Sequence, residues 1–299
     1  MTNFALATLS TPDGPTAAIH AGGRYHLIGA AQPLLVEATC LSLLQSWDAA
    51  FPLLEALATR LAEHPADGVS EQDAHLLTPV MYPDKLMAVG ANYSGHLREM
   101  GLKAEKWASM PFFIRPPKTT LVGPGKTVMI PRSTKQFDWE CEVAVFVGRR
   151  LRHASKAEAA AAVAGYAIGL DLSCRDLIQV DNDLKVDLVR GKAQDTMAPC
   201  GPVIMPAKFV PDINDARIQL SVNGEMMMNA STSEMLYKID EQLSTISEYL
   251  TIEPGDILFT GSPSGSAGVH GNRWLRPCDH IHAEIENVGV LDVVISDEP

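Results

Sequence analysis

The stretch Asp138-Trp139-Glu140-Cys141-Glu142-Val143-Ala144-Val145-Phe146-Val147-Gly148 sets two carboxylates, Glu140 and Glu142, at the head of an apolar, β-type run. Successive side chains of a strand alternate faces, so residues i and i+2 project to the same side. Two carboxylates side by side repel each other unless a cation or a proton stands between them. They could be solvated acids on an edge strand, but the run holding them (Cys141, Val143, Val145, Val147) is apolar and should be buried on at least one face. Partly buried acids need a partner. A third acid, Asp171, ends another apolar segment in Gly169-Leu170-Asp171-Leu172-Ser173. Three convergent carboxylates make a hard, all-oxygen site suited to Mg²⁺, Mn²⁺ or Ca²⁺ rather than zinc. The stretch points to a metal enzyme.

Working outward, the chain from Lys85 onward breaks into short β-type runs separated by Pro and Gly. These are 86–89, 127–130, 141–147, 167–172, 218–222, 256–260, 280–285 and 290–295. Helices are expected at 156–163 and around 239–250. Strands outnumber helices and do not alternate regularly with them, which excludes a doubly wound parallel sheet. Upstream, residues 4–30 read as short strands with turns at Pro12-Asp13-Gly14 and Gly22-Gly23. Residues 39–63 carry helical periodicity (Leu41, Leu44, Trp47, Phe51, Leu54, Leu57, Leu61), with Pro52 marking where a second helix would start. A polar, turn-rich stretch follows at 64–73. The expected fold is α+β and β-rich, with a small N-terminal α/β module over 1–80 and a catalytic domain over 81–299.

The chain has 299 residues, 46% hydrophobic and 20% charged, as is ordinary for a globular protein. A net charge of −12 without a Lys/Arg cluster argues against nucleic acid as a partner. Five widely spaced cysteines without a C-x-x-C pair fit neither a disulfide framework nor a structural zinc site. No signal-peptide pattern opens the chain, and no apolar run reaches the ~20 residues that span a bilayer. The expectation is a cytoplasmic protein with no membrane partner.

Other residues offer chemistry with less specific signals. Arg175, in Ser173-Cys174-Arg175-Asp176, suits bidentate binding of a small acid, or a structural ion pair. Either of the flanking acids, Asp171 or Asp176, could merely cap a turn. Lys192, in Arg190-Gly191-Lys192-Ala193-Gln194-Asp195-Thr196, lies in no P-loop pattern, but its position before Pro199-Cys200-Gly201-Pro202 suggests an ordered, buried turn. His96 and Glu99 are three apart, within reach on one helix face. Such a pair is a general base for water or an exposed salt bridge. His280 and His282 share a strand face without a third ligand nearby, which fits a surface pair.

Five blocks taken together carry a resemblance: Val89-Gly90-Ala91-Asn92-Tyr93 with His96 and Glu99; Trp139-Glu140-Cys141-Glu142; Asp171-Leu172-Ser173-Cys174-Arg175-Asp176; Gly191-Lys192 with Asp195-Thr196, Pro199 and Gly201-Pro202; and Glu253-Pro254-Gly255-Asp256 with Thr260-Gly261-Ser262-Pro263. In order and spacing this resembles the fumarylacetoacetate hydrolase family over roughly residues 80–299. The resemblance implies a mixed β-sandwich roll and a Mg²⁺ or Mn²⁺ ion held by Glu140, Glu142 and Asp171. It implies a homodimer, and a lid over 93–105 that brings His96 and Glu99 together as a catalytic dyad only when closed. Lys192 would sit beside the metal as a catalytic cation. Tyr93, Arg175, Gln179 and Thr260 would bind a keto-acid substrate.

The sequence departs from the family pattern at several points. Ile178 stands where many relatives carry Gln, with Gln179 one place off. Ser262 replaces the usual second Thr of Thr-Gly-Thr-Pro, and Pro277-Cys278-Asp279 replaces Pro-Gly-Asp. The loop between Gly265 and Pro277 carries His270, Arg273 and Trp274. The loop, with Met100, Leu102, Trp107 and Met110 of the lid, could line the pocket. The activity implied is hydrolysis of a carbon–carbon bond in a 2,4-dioxo acid to pyruvate and a carboxylic acid, in breakdown of aromatic or sugar-derived acids. Decarboxylation of oxaloacetate, isomerisation and dehydration of keto acids are the alternatives on the same centre.

Overall fold

The computed structural model describes residues 3–63 and 68–298. Its centre is the strand Cys141–Val147, buried along its whole length. Val163–Leu170 pairs with it antiparallel on one side and Ile257–Phe259 on the other. The sheet continues outward through Leu86–Val89 to Phe112–Arg115, and in the other direction through Ala198–Pro206. The first strands of the chain extend this same sheet, since Ala5–Thr11 pairs with Ala198–Pro206 at Leu6↔Ile204. Gly14–Ala21, Arg24–Leu27 and Val69–Ser70 then follow in order. The turns at Pro12-Asp13-Gly14 and Gly22-Gly23 fall where the sequence put them. Of the turn-rich stretch at 64–73, residues 64–67 lie outside the described residues.

A second sheet runs Glu225–Ser231, Arg217–Val222, His280–Ile285, Gly289–Asp297 and Thr127–Ile130. The two faces of the central strand serve different layers, as period-2 alternation requires. Cys141, Val143, Val145 and Val147 pack with Ile218, Leu220, Ile281 and Leu291 of the second sheet. Ala144 and Phe146 pack instead with Leu44, Leu54 and Leu57 of the N-terminal helices. Glu140 and Glu142 share the parity of Ala144 and Phe146. The acids thus begin a face whose remainder is covered by apolar N-terminal residues, and water is excluded beneath them. This is the mixed α/β, β-rich sandwich expected.

The helix break expected at Pro52 is instead at Ser46. Thr39 caps Cys40–Gln45 through a reciprocal bond with Ser42, and Trp47–Glu63 then runs unbroken through Pro52. Pro52 is exposed and is the sixth residue of that helix, so the helix runs on at the loss of one bond, that to the Asp48 carbonyl. The other expected helices form at Lys156–Ala161, capped by Ser155 with Glu158, and at Ile239–Ser247. All five cysteines are free thiols, and only Cys278 is exposed. No helix among the described residues is long and apolar enough to cross a membrane.

Candidate active site

Strand register assembles the three carboxylates. Cys141 pairs with Leu170 and Glu142 with Gly169, so Asp171 comes level with Glu140 and donates its N–H to the Glu140 carbonyl at 3.0 Å. One carboxylate oxygen from each of Glu140, Glu142 and Asp171 lies within 4.8 Å of the others, and all three residues are buried.

Their surroundings are unequal. Asp171 takes the guanidinium of Arg115 and the ammonium of Lys192. Glu140 takes Lys192 Nζ at 2.5 Å and Arg175 Nη2 at 2.7 Å. Arg175 also donates through Nε to Asp138 at 2.7 Å. Glu142 accepts one backbone hydrogen bond, from Gly261 N–H at 2.7 Å, and has no ion pair among the described residues. Burial works to raise the Glu140 pKa, yet Arg175 and Lys192 outweigh it and hold the group well below the usual carboxylate range. Burial and the negative charge of Asp171 and Glu140 push Glu142 well above that range. Two further hydroxyls, Tyr93 Oη, which feels the charge of Glu142, and Thr260 Oγ1, one residue before Gly261, are buried with no hydrogen-bond partner. An uncompensated carboxylate among oxygen donors, next to orphaned hydroxyls, fits a hard divalent cation.

Lys192 is buried, as its place before Pro199-Cys200-Gly201-Pro202 suggested, but it ends the short helix Leu188–Lys192 rather than a turn, and Pro199–Pro202 lies in the strand Ala198–Pro206. Gly191 permits that seat, because a β-carbon there would meet Ile178 Cγ1 at 2.2 Å. Gly261 has φ +90, and a β-carbon there would press on Asn92 at 2.7 Å. Only glycine brings its N–H to Glu142 at that point.

His96 and Glu99 share one face of the helix Ser94–Glu99. Nδ1 lies 2.9 Å from Glu99 Oε2, and Nε2 lies 3.4 Å from Glu140 Oε1. Burial acts to lower the imidazole pKa, but the carboxylates of Glu140 and Glu99 lift it to about 9. Glu99 is itself fixed by Gly265 N–H at 2.5 Å and Ser266 Oγ at 3.3 Å. The pair is assembled in the structure. The rest of the lid is docked: Tyr237 donates its hydroxyl to the Trp107 carbonyl, and Lys106 pairs with Glu241 at 2.6 Å.

Outside His96 and Arg175 opens a cavity of about 590 Å³, a size suited to small molecules. Gln136, Ile178, Gln179, Met100 and Trp274 line it. Gln179 reaches this space although it is one place off the family position. Tyr93 and Thr260 are fully buried deeper in, and Arg175 is committed to Asp138 and Glu140. Of the lid residues offered for the pocket, Met100 lines it, whereas Met110 packs in the core and Leu102 is exposed. Of the loop residues, Trp274 reaches the cavity, His270 bonds the Met227 carbonyl at 2.8 Å and Arg273 faces Asp279 at 3.6 Å. Of the two acids that could cap a turn, Asp176 is the one that does, accepting from Thr134 Oγ1 and Lys135 N–H. His280 and His282 both face Asp292 at the surface.

Two residues of the centre escaped sequence reading. Arg115, fully buried at the end of Phe112–Arg115, holds Asp171 and the Met197 carbonyl. Nothing local marks it, because its partners lie 56 and 82 positions away. Asp138 steers Arg175 and accepts from Ala267 N–H. Its signal was present, since it shares the i, i+2 parity of Glu140 and Glu142.

The model for the fumarylacetoacetate (FAA) hydrolase C-terminal family matches residues 85–296. The mitochondrial oxaloacetate tautomerase FAHD2B of Bos taurus is 34% identical over 273 residues, covering 90% of this chain and 83% of that one. The crystal structure of maleylpyruvate hydrolase from Sphingobium sp. SYK-6 superposes with a TM-score of 0.78 at 26% identity, covering 98% of this chain and 100% of that one. Fumarylpyruvate hydrolase from Pseudomonas aeruginosa, solved in complex with Mn²⁺ and pyruvate, gives a TM-score of 0.65 at 30% identity, covering 74% and 91%.

Proposed function

The chain belongs to the fumarylacetoacetate hydrolase family, and from that premise we propose that it is a divalent-metal-dependent hydrolase of acylpyruvates. The observation that carries this reading is the seat of His96, between Glu99 at 2.9 Å and the acidic centre at 3.4 Å. A base held there by a carboxylate can activate water beside a substrate anchored on the centre.

Glu140, Glu142 and Asp171 would hold Mg²⁺ or Mn²⁺, which when bound supplies Lewis acidity toward the 2-oxo acid end of the substrate. With Glu140 among the residues that would hold the cation, His96 Nε2 would be left to act as the proton acceptor. That nitrogen then takes a proton from water as the water oxygen bonds to the distal acyl carbon. The bond between that carbon and the pyruvate methylene breaks, and its electron pair leaves with pyruvate as an enolate. Lys192, between Glu140 and Asp171, adds positive charge where this negative charge develops. Proton return to the methylene gives pyruvate, and the acyl half leaves as a carboxylic acid. Arg175 and Gln179 line the entry, and Tyr93 and Thr260 supply hydroxyls beside Glu142. A homodimer belongs to the same proposal, with sedimentation equilibrium as its test.

A second reading is favoured by the tautomerase relative matched over 90% of this chain. His96 would then carry a proton between C3 and the 2-oxo oxygen of oxaloacetate, breaking the C3–H bond in one direction and forming it in the other, with no carbon–carbon bond broken. The deciding assay follows enol absorbance of acylpyruvates and of oxaloacetate, with metal stripped and Mg²⁺ or Mn²⁺ restored. Metal-dependent release of pyruvate with a free acid from an acylpyruvate supports the hydrolase. Faster decay of oxaloacetate enol without pyruvate, and no acylpyruvate cleavage, replaces it with the tautomerase.

A further inference from the structure

The outer cavity has a one-sided charge pattern. Three acids line it, Glu99, Asp138 and Asp176, against Arg175 and His96 as the cationic or titratable donors among its described lining residues. Neither donor is free. Arg175 holds Asp138 through Nε and Glu140 through Nη2, each at 2.7 Å. His96 divides its nitrogens between Glu99 and Glu140. Both also stand at the inner end, beside the acidic centre. The remaining lining side chains (Met100, Gln136, Ile178, Gln179, Ser266, Trp274) are apolar or neutral.

A carboxylate at the far end of a substrate would find no uncommitted cation among the described lining residues, while Glu99 and Asp176 add negative charge to the same cavity. An unpaired buried charge is strongly disfavoured. An alkyl or aryl group would instead bury apolar surface against Met100, Ile178 and Trp274. We propose that the cavity selects 2-oxo acids whose distal end is uncharged, with Met100, Ile178 and Trp274 as the specificity-determining wall. This rests on the reading that the acidic centre takes a 2-oxo acid.

The test compares 2-oxohexanoate with 2-oxoadipate, which have the same chain length and differ by a terminal methyl against a carboxylate. Neither has the 4-oxo group that hydrolysis needs, so calorimetric titration into the full-length Mn²⁺-loaded protein reads binding alone. The neutral acid should bind tighter by about tenfold or more, given the cost of a charge without a partner. Met100→Arg, at an exposed lid position, should narrow or reverse that ratio by adding a cation to the wall. Equal binding, or tighter binding of 2-oxoadipate by the unaltered protein, overturns the selectivity while leaving the 2-oxo acid reading in place. Failure of both acids to bind overturns that reading and the selectivity with it.

Discussion

Glu142 lies two residues along the same strand face from Glu140, yet Glu140 has two cationic partners and Glu142 has one backbone N–H. The inequality separates stability from metal binding. Glu142→Gln removes a buried charge that burial and neighbouring acids oppose, so the metal-free variant should melt at or above the parent temperature. The same change should cost Mn²⁺ affinity more than the ~10–100-fold typical of residues that only support a ligand. Thermal melts with and without Mn²⁺, beside a calorimetric titration, read both. A metal-free variant that melts lower, with affinity intact, would sink the assignment.

His96 touches the centre from outside the carboxylate set. His96→Ala should leave Mn²⁺ affinity within a few-fold of the parent and lower turnover by ~10²–10⁴, the range for losing a general base. Glu99→Gln keeps the size but leaves one oxygen for either His96 Nδ1 or Gly265 N–H, and it should lower turnover less than loss of the imidazole. Single-turnover rates on an acylpyruvate decide this. Unchanged turnover in His96→Ala removes the dyad from the mechanism.

Arg115 tests the charge balance. Its guanidinium is fully buried against Asp171, and Arg115→Met would leave that carboxylate with Lys192 alone. Breaking a buried pair from one side costs roughly 3–5 kcal/mol. Urea unfolding of the metal-free variant should show a loss of that order. Saturating Mn²⁺ should recover part of it, since a ligand that binds only the folded state stabilises it. A loss that Mn²⁺ does not reduce would place Arg115 in packing rather than in the balance of the centre.

What was legible in the sequence was what short range determines. The strand Cys141–Val147 and its flanking acids followed from alternation, and the turns of the first hairpins from Asp-Gly and Gly-Gly. The break at Ser46 was missed because Pro52 is the stronger local signal, though the helix runs on through it at the loss of one bond. Arg115 was invisible because its role exists only through distant partners. Parity alone would have added Asp138 to the acid row, but its role is to hold Arg175, and spacing cannot tell a positioning carboxylate from a ligand.

Cys278 occupies the place where the family pattern has glycine, and its backbone keeps the left-handed conformation, φ +71. The turn is enforced by Cys278 N–H on the Ile295 carbonyl at 2.8 Å. A residue with a β-carbon pays roughly 1–2 kcal/mol in that region. Cys278→Gly should therefore raise stability by about 1 kcal/mol in urea unfolding, with metal affinity unchanged, because the position is exposed and outside the centre. A destabilised variant would show that the thiol side chain matters more than the backbone strain.

The lid gives a kinetic prediction. Tyr237 donates to the Trp107 carbonyl, and the Lys106 ammonium lies 4.4 Å from the centre of its ring while also bonding Glu241. These contacts pin the segment that carries His96, Glu99 and Met100. Tyr237→Phe keeps the ring and removes the hydroxyl, at a net cost near 1 kcal/mol for one hydrogen bond. The closed lid should then be less populated. KM for an acylpyruvate should rise roughly fivefold, as that energy implies, with a smaller change in kcat. Amides of residues 100–110 should exchange faster in the free variant, and the Mn²⁺ affinity should hold. Faster exchange without a rise in KM would show that lid closure does not contribute to substrate binding. A fall in kcat alone would assign the Tyr237–Trp107 contact to placing the His96–Glu99 pair.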